Sequence, residues 1–221
     1  MKDVFRTALA AALALAVPAL LAVSALSVTR CSSGPKAPAG SWTAEERALI
    51  DGADSVMRVL TVADSSDLAV LRTKCSDFTN DDLKSEEFAR LSALLLSTVT
   101  DPSQDGVGIA APQVGIGRRI ICVQRLDKEG EPFECYLNVR LDSLWGEKER
   151  GPEGCLSLPG LRGYVSRYRS VLVSYIDRES LQPRKDTVHG FTAVIFQHEC
   201  DHLDGILYTD RADTVFVVDK R

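Results

Sequence analysis

This chain of 221 residues contains few histidines and no excess of basic residues over acidic ones. Only three histidines occur, and the formal net charge at pH 7 is −5. No cluster of lysine and arginine stands out, so the sequence predicts no nucleic-acid partner. Internal repeats and long charge blocks are absent as well. With 45% apolar and 26% charged residues, the composition is that of one well-cored domain with an appendage.

Two of the three histidines lie four residues apart in the segment 197–202, which reads QHECDH. Residues four apart on a helix share one face, so His198 and His202 could bind one metal ion. Glu199 lies about 100° round the helix and could reach the open side of that ion. This H-E-x-x-H pattern is typical of metal-dependent hydrolases, in which the glutamate is the general base toward a metal-bound water. The alternative is a surface helix turn that carries two histidines by chance.

Such a site needs at least one more protein ligand. Residues 203–221 contain no histidine, and four aspartates with no obvious metal-site context are their only acidic residues: Asp204, Asp210, Asp213 and Asp219. Upstream, Cys155 lies in the segment EGCLS at 153–157, and its thiolate would be a strong ligand for a late divalent metal. Gly154 beside it would allow close backbone approach. Taken alone, this segment fits a buried cysteine in a turn equally well.

A third segment, 106–113, reads GVGIAAPQ and ends in Gln113, whose amide can donate one hydrogen bond and accept another. Taken alone, it is a glycine-rich loop. Together and in this order, the three segments resemble the peptide deformylase family, whose patterns G-x-G-x-A-A-x-Q, E-G-C-L-S and Q-H-E-x-D-H are all matched. The resemblance extends from about Met57 to Arg211.

The resemblance implies an activity and a metal centre. Family members remove the formyl group from the N-terminal formyl-methionine of new polypeptides, so N-formyl-methionyl peptides are the expected partners. Cys155, His198 and His202 are then the expected ligands of one divalent metal ion, with Glu199 as the catalytic carboxylate. Fe(II) is the ion that the resemblance implies, with zinc or nickel as alternatives.

The resemblance also assigns roles around the substrate. Gln113 and the backbone N–H of Leu156 are expected to polarise the formyl carbonyl oxygen. Gly108 is expected to line the substrate cleft with its backbone. Glu153 and Arg162 match family positions that flank the cysteine, and a supporting or peptide-binding role is expected for them. The sequence does not identify the apolar residues that would bind the methionine side chain.

Two rival functions come from other classes. A general zinc peptidase would cleave internal peptide bonds, but the cysteine ligand and the missing downstream ligand argue against it. A non-catalytic exported module could bind formyl peptides in the same pocket. Since Glu199 and Gln113 are both present, nothing marks the site as inactive.

The remaining cysteines and polar residues near the motif have simpler interpretations. Cys200 lies about 200° from His198 and is expected to be a small buried hydrophobe. Asp201 could orient a ligand histidine or lie solvated on the helix face. His189 is expected to be a loop or cap residue. The other cysteines, Cys75, Cys122 and Cys135, lack ligand spacing and are interpreted as core or surface thiols.

The N-terminus carries the appendage. From Ala8 to Val28 no residue is charged, and as a helix this run would span ~31 Å, about the thickness of a bilayer core. We therefore interpret residues 1–30 as a signal peptide or membrane anchor, 31–42 as a linker and 43–221 as the catalytic domain. Cys31 resembles a lipidated cysteine, but Arg30 before it weakens that interpretation. We therefore predict a membrane-associated or exported protein whose catalytic domain lies outside the cytoplasm. The alternatives are an anchored protein with a cytoplasmic domain and a misplaced start codon.

Periodicity and turn signals predict an α+β domain with mixed or antiparallel strands around a C-terminal metal-binding helix. Thr43 and Glu46 form a capping-box pattern. The predicted helices are 43 to about 57, Leu83–Val99 and Gly190–Asp204. The predicted strands are Arg119–Gln124, Phe133–Val139, Val165–Arg167 and Val171–Ile176. A turn at Asp127–Gly130 would set Cys122 opposite Cys135, and the two could form a disulfide if the chain is exported.

Overall fold

The computed structural model describes residues 42–104 and 106–218. The predicted signal or anchor segment at 1–30 lies outside the described residues, as does the linker except for Trp42. Over the ranges that are described, no helix combines the length and apolar character that crossing a membrane requires.

The α+β prediction is confirmed, and an antiparallel sheet forms the centre of the described domain. Within this part of the chain the sheet has six strands: β1 (Gly108–Ala110), β2 (Ile120–Gln124), β3 (Phe133–Glu153), β4 (Leu161–Ile176), β5 (Pro183–His189) and β6 (Thr214–Val217). Their order is β1-β2-β3-β4-β5, and β6 pairs with the first residues of β4. The two strands predicted within 165–176 are therefore one strand. Three others, β1, β5 and β6, were not predicted.

Four α-helices accompany the sheet in the described residues: α1 (Ala44–Asp51), α2 (Ser65–Leu71), α3 (Glu86–Val99) and α4 (Gly190–Leu203). The capping box is present, because Thr43 Oγ1 accepts from the N–H of Glu46 while Glu46 accepts from the N–H of Thr43. The prediction that this helix reaches Met57 is wrong, since it ends at Asp51 with Gly52 as its C-cap. The helix predicted from Leu83 begins at Glu86 because the Ser85 hydroxyl caps it. No prediction was made for α2.

Strand β2 is buried on both faces, and this places helices on either side of the sheet. Ile120 and Cys122 pack into a core with α3, whereas Ile121 and Val123 pack into a second core beneath α4. Every residue of α4 from Thr192 to Leu203 is buried. A helix that is buried all round must satisfy each of its polar side chains inside the protein. The polar side chains of the QHECDH motif therefore need hydrogen-bond partners within the protein or a bound ligand.

Both ends of α4 are held in place. His189 ends β5 and is the N-cap residue, as the loop-or-cap interpretation expected, and its Nδ1 lies 3.0 Å from Ser170 Oγ. At the other end, the buried guanidinium of Arg119 donates to the carbonyl of Leu203 and to Asp204 Oδ1, 2.8 Å away. A cation at a helix C-terminus also complements the helix dipole. These contacts fix the helix that carries both histidines.

Cys122 and Cys135 form a disulfide between β2 and β3. They lie directly opposite each other in the strand register, as the predicted turn implied. Their interpretation as free core or surface thiols is wrong. By restricting the unfolded chain, a disulfide that closes a loop of this size contributes about 3 kcal/mol to stability. Cys75 and Cys200 are free and buried, as expected for core thiols.

Candidate metal centre and active site

The structure brings Cys155, His198 and His202 together. The turn after β3 carries Cys155, and α4 presents the two histidines from successive turns. One ligand atom from each residue lies within 4.8 Å of the others, and Cys155 Sγ is 3.2 Å from His202 Nε2. Metal–sulfur and metal–nitrogen bonds of about 2.3 and 2.0–2.1 Å suit such a spacing. One thiolate and two imidazoles are a donor set that suits a late divalent ion.

The electrostatics of the cluster favour the ligand form of the cysteine. Burial opposes ionisation of Cys155, but the charges and hydrogen bonds of His202 and His198 outweigh it and lower the pKa of the thiol well below its ordinary value. The thiolate is the form that binds metals.

A buried chain of charged groups orients His198. Its Nδ1 donates to Glu153 Oε2 at 2.8 Å, which leaves Nε2 as the ring's ligand atom. Arg167 donates to Glu153 at 2.8 Å and to Asp201 at 2.5 Å, and Arg211 also donates to Asp201. The His198 and Arg167 contacts overcome the effect of burial and lower the pKa of Glu153 to about 2. Glu153 is therefore a permanent anion behind the ligand.

Asp201 does not contact a ligand histidine, and it is not solvated. It is buried and lies between Arg167 and Arg211, so it acts on His198 only through Arg167 and Glu153. Neither of the two interpretations of Asp201 anticipated this arrangement. Sequence reasoning did not connect Arg167 with Glu153 and Asp201, because these partners lie 14 and 34 residues away along the chain. It also did not single out Arg211, which lies 10 residues after Asp201.

Tyr208 is another residue that sequence reasoning missed. It lies in a short 3₁₀ turn after α4, is buried, and stacks on the His198 ring with centroids 6.0 Å apart. The ring of His198 is therefore supported by a hydrogen bond on one edge and by an aromatic face.

Glu199 is the buried carboxylate next to the ligands. Its pKa is raised to about 7, mainly by burial, with the charges of His198 and His202 acting in the opposite direction. Its Oε2 makes no hydrogen bond to the residues that the structure describes. A carboxyl group with a pKa near neutrality is suited to taking and returning a proton. A bound cation would favour its ionised form.

Gly108 fits against Glu199 only because it has no side chain. A Cβ built there would lie 2.5 Å from Glu199 Oε1 and 2.9 Å from Ile195 Cγ2. The backbone of β1 therefore forms one wall of the site at Gly108.

Gln113 and Leu156 lie beside Cys155. Gln113 Oε1 accepts from the N–H of Ala110, which turns its Nε2 toward Ser157 Oγ at 3.2 Å and Cys155 Sγ at 3.5 Å. Leu156 follows Cys155 in the turn after β3. Both predicted donors thus lie beside the metal ligand.

A cleft of about 520 Å³ opens beside these groups. Its apolar lining residues include Val107, Leu158, Leu161, Phe191, Val194 and Ile195. Three of them occupy positions i, i+3 and i+4 of α4, a spacing that could have identified this face from the sequence. Gly108 and Arg162 also line the cleft.

The contact between Glu153 and His198 generates a prediction about metal binding. Glu153→Gln keeps the size of the side chain but removes the charge opposite His198 and Arg167. Because such outer contacts orient the ligand and raise its basicity, we expect metal affinity to fall about 10–100-fold. Competition with a chromophoric chelator measures this change. Glu149→Gln on the exposed part of β3 is the matched control, and equal affinities in the two variants would contradict the assigned role.

Comparison with known proteins agrees with the site. The family model described as Polypeptide deformylase matches residues 56–216. The peptide deformylase of Desulforudis audaxviator (strain MP104C) is 42% identical over 130 residues, covering 59% of this chain and 80% of that relative. A peptide deformylase from Synechococcus elongatus in complex with actinonin has a TM-score of 0.63 and 32% identity, over 73% of this chain and 83% of that one. A Met-Ala-Ser-bound class I type b peptide deformylase from Acinetobacter baumannii has a TM-score of 0.62 and 31% identity, over 71% and 98%. This chain therefore belongs to the peptide deformylase family of metal-dependent enzymes, which remove the formyl group from N-formyl-methionyl peptides.

Proposed function

We propose that Cys155, His198 and His202 bind the metal ion with which this deformylase releases formate from N-formyl-methionyl peptides. The observation that carries this assignment is the convergence of one sulfur and two imidazoles beside the buried carboxylate of Glu199. By resemblance we propose Fe(II) as the ion, with zinc or nickel as alternatives. Such an ion supplies Lewis acidity, which makes water a nucleophile near neutral pH and polarises a carbonyl group.

Protein groups then carry the proton and the developing charge. Glu199 accepts the proton of the attacking water and delivers it to the departing amine as the C–N bond breaks. Gln113 Nε2 and the N–H of Leu156 donate to the formyl oxygen, where negative charge builds up. Losing one donor of this kind typically costs ~10²–10³-fold in rate.

The apolar wall of the cleft is the proposed binding site for the methionine side chain. Phe191, Val194 and Ile195 present one face of α4 to the cleft, close to His198 and Glu199 on the same helix. The relative from Acinetobacter baumannii, solved with Met-Ala-Ser bound, supports a cleft that holds a peptide with methionine at its N-terminus. Gly108 and Arg162 are the proposed peptide-binding residues of the cleft.

We further propose that the protein is membrane-associated or exported, with its catalytic domain outside the cytoplasm. Support comes from the uncharged run at 8–28, preceded by Lys2 and Arg6. The disulfide between Cys122 and Cys135 also supports it, because disulfides persist in oxidising compartments and are rare in the cytosol. Since a thiolate-bound Fe(II) would oxidise readily there, zinc or nickel becomes a stronger alternative in that setting.

Two substitutions separate metal binding from catalysis. Glu199→Ala should keep one metal ion per chain but lower the rate of formate release from formyl-Met-Ala by about 10²–10⁴-fold, the usual contribution of a general base. Cys155→Ala should lose the metal. Elemental analysis and a formate assay on protein purified without air measure both. Retained turnover in the Glu199 variant would contradict the mechanism.

The same assays test the two rival functions. Cleavage of unformylated peptides would favour a general peptidase. Binding of formyl peptides without formate release would favour a non-catalytic module.

Gly108→Ala tests the wall beside the catalytic carboxylate. The added methyl group must displace Glu199, and a shift of about 1 Å in a catalytic group can cost ~10²-fold in rate. We expect kcat to fall by roughly that factor while metal content is unchanged. Gly117→Ala is the matched control, since a Cβ there meets nothing within 4 Å. Similar kcat values for the two variants would show that Gly108 does not shape the site.

The location has its own test, in which the full chain is expressed with its natural N-terminus in a bacterial host. We expect it in the membrane or extracytoplasmic fraction, with Cys122 and Cys135 linked in mass spectra of alkylated, unreduced protein. Charges introduced at Leu15→Arg and Leu21→Arg should leave the protein in the cytoplasm, because a charge at the centre of an apolar segment opposes insertion. Unsubstituted protein in the cytosol with both thiols free would overturn the proposal.

A further inference from the structure

Helix α1 lies outside the residues that match the family model. It spans Ala44–Asp51, whereas the match begins at residue 56. The helix is nevertheless packed into the domain, because Ile50 is fully buried in the core that also contains residues of α3. α1 is therefore an addition to the matched region that is held firmly against it.

Leu49 on α1 lies against the turn that carries Gln113. This turn is a 3₁₀ helix, Ala111–Val114, and Gly115 ends it with a φ of +87°. A Cβ built on Gly115 would lie 2.9 Å from Leu49 Cδ1, so the leucine side chain packs directly on this glycine. The N–H of Gly115 donates to the carbonyl of Pro112 at 3.1 Å. Leu49 thus supports the backbone that closes the turn.

A second contact from α1 holds the chain just after the turn. Arg118 donates to both carboxylate oxygens of Glu46, at 2.9 and 3.0 Å, and both side chains are buried. A two-point contact between a guanidinium and a carboxylate fixes direction as well as distance. Glu46 and Leu49 are three residues apart, so they lie on one face of α1. This face therefore holds residues 115 and 118, which connect Gln113 to β2.

The turn borders a groove into which it could move. The groove has a volume of about 230 Å³ and lies between α1, the segment 53–60 and Val114, with Leu49 among its lining residues. The main-chain carbonyl of Gln113 accepts from the N–H of Leu60 at 2.7 Å, on the wall of the same groove. A shorter side chain at position 49 would leave the turn room to shift. The amide of Gln113, 3.5 Å from Cys155 Sγ, would shift with it.

We propose that α1 positions Gln113 for catalysis and that Leu49 is the positioning residue. The inference rests on the role of Gln113 as a donor in the proposed function. By packing on Gly115, Leu49 keeps the turn in the conformation that places Nε2 of Gln113 beside Cys155. A donor to a developing negative charge is effective because it is in place before the reaction begins. α1 therefore affects the rate of the chemical step and leaves metal binding unchanged.

Leu49→Ala in the metal-loaded, full-length protein should lower kcat for formyl-Met-Ala by about 3–10-fold. A shift of about 1 Å in a catalytic group can cost ~10²-fold, and the displacement expected here is smaller. KM and metal content should stay unchanged, because the donor acts in the transition state. Leu49→Met should restore most of the rate, since it conserves volume.

Leu96→Ala on α3 is the matched control. Leu96 and Leu49 are exposed to a similar extent, 37% and 43%. A surface substitution away from the site should leave kcat within about twofold of the unsubstituted value. An equal fall of kcat in the Leu49 and Leu96 variants would contradict a specific role of Leu49.

A double-mutant cycle shows whether Leu49 acts through Gln113. Gln113→Ala alone should lower kcat by ~10²–10³-fold. Adding Leu49→Ala to this variant should cost no more than about twofold further, because the group that Leu49 positions is already absent. A merely structural role of Leu49 would lower kcat by the same factor in both backgrounds, and that result would overturn the inference.

Nuclear magnetic resonance tests the same point without turnover. In the zinc-loaded protein, the side-chain amide signals of Gln113 should shift in Leu49→Ala and stay in place in Leu96→Ala. Unchanged Gln113 signals or an unchanged kcat in Leu49→Ala would overturn the inference and leave deformylation intact. An unchanged kcat in Gln113→Ala would refute the donor role and the inference together. Absence of formate release from every formyl peptide would instead refute the proposed function on which the inference rests.

Discussion

The hydrogen bond from His198 to Glu153 joins the two segments that form the metal centre. Glu153 ends β3 two residues before Cys155, and His198 lies on α4, so this contact sets the distance between the sulfur and the imidazoles. Arg167 holds Glu153 from behind and links it to Asp201. In a buried network of this kind, removing one partner leaves an uncompensated charge, which costs far more than an exposed pair is worth. The supports of the site are therefore charged, buried and mutually dependent.

The same network shows where sequence reasoning succeeds and where it fails. Segments with a local chemical signal could be predicted: the capping box at Thr43, the histidine pair on its helix, and the register that sets Cys122 opposite Cys135. The extent of β3 could not, because beyond Leu141 most of its residues are exposed and show no alternation of apolar and polar side chains. That part is held by pairing with β4, which is a long-range contact. For β5, the sequence PRKDTVH is mostly polar because it forms an edge of the sheet. Arg167 and Asp201, 34 residues apart, likewise gave no local signal.

Cysteine chemistry is divided among separate environments. The disulfide lies in the core beside α3, away from the residues that line the cleft. Burial raises the pKa values of Cys75 and Cys200 to about 12, which keeps them protonated and unreactive. Among the described residues, Cys155 alone is a thiol with a lowered pKa, and a bound metal ion would occupy its sulfur. A domain arranged in this way can hold a thiolate ligand in an oxidising compartment, because no other described thiol is available to exchange with it.

The ligand set also limits what the enzyme can cleave. A thiolate donates more electron density than an imidazole, so it makes the ion a weaker Lewis acid than three histidines would. Glu199, with a pKa near neutrality, and the donors of Gln113 and Leu156 offset part of that loss. A weaker Lewis acid is sufficient most easily for the attack of water on a formyl group. The carbonyl carbon of a formyl group bears a hydrogen atom in place of a carbon substituent, so it is less hindered than the carbonyl carbon of an internal peptide bond. A ligand set of one cysteine and two histidines beside the buried carboxylate of Glu199 therefore fits the removal of a formyl group, the least hindered acyl group.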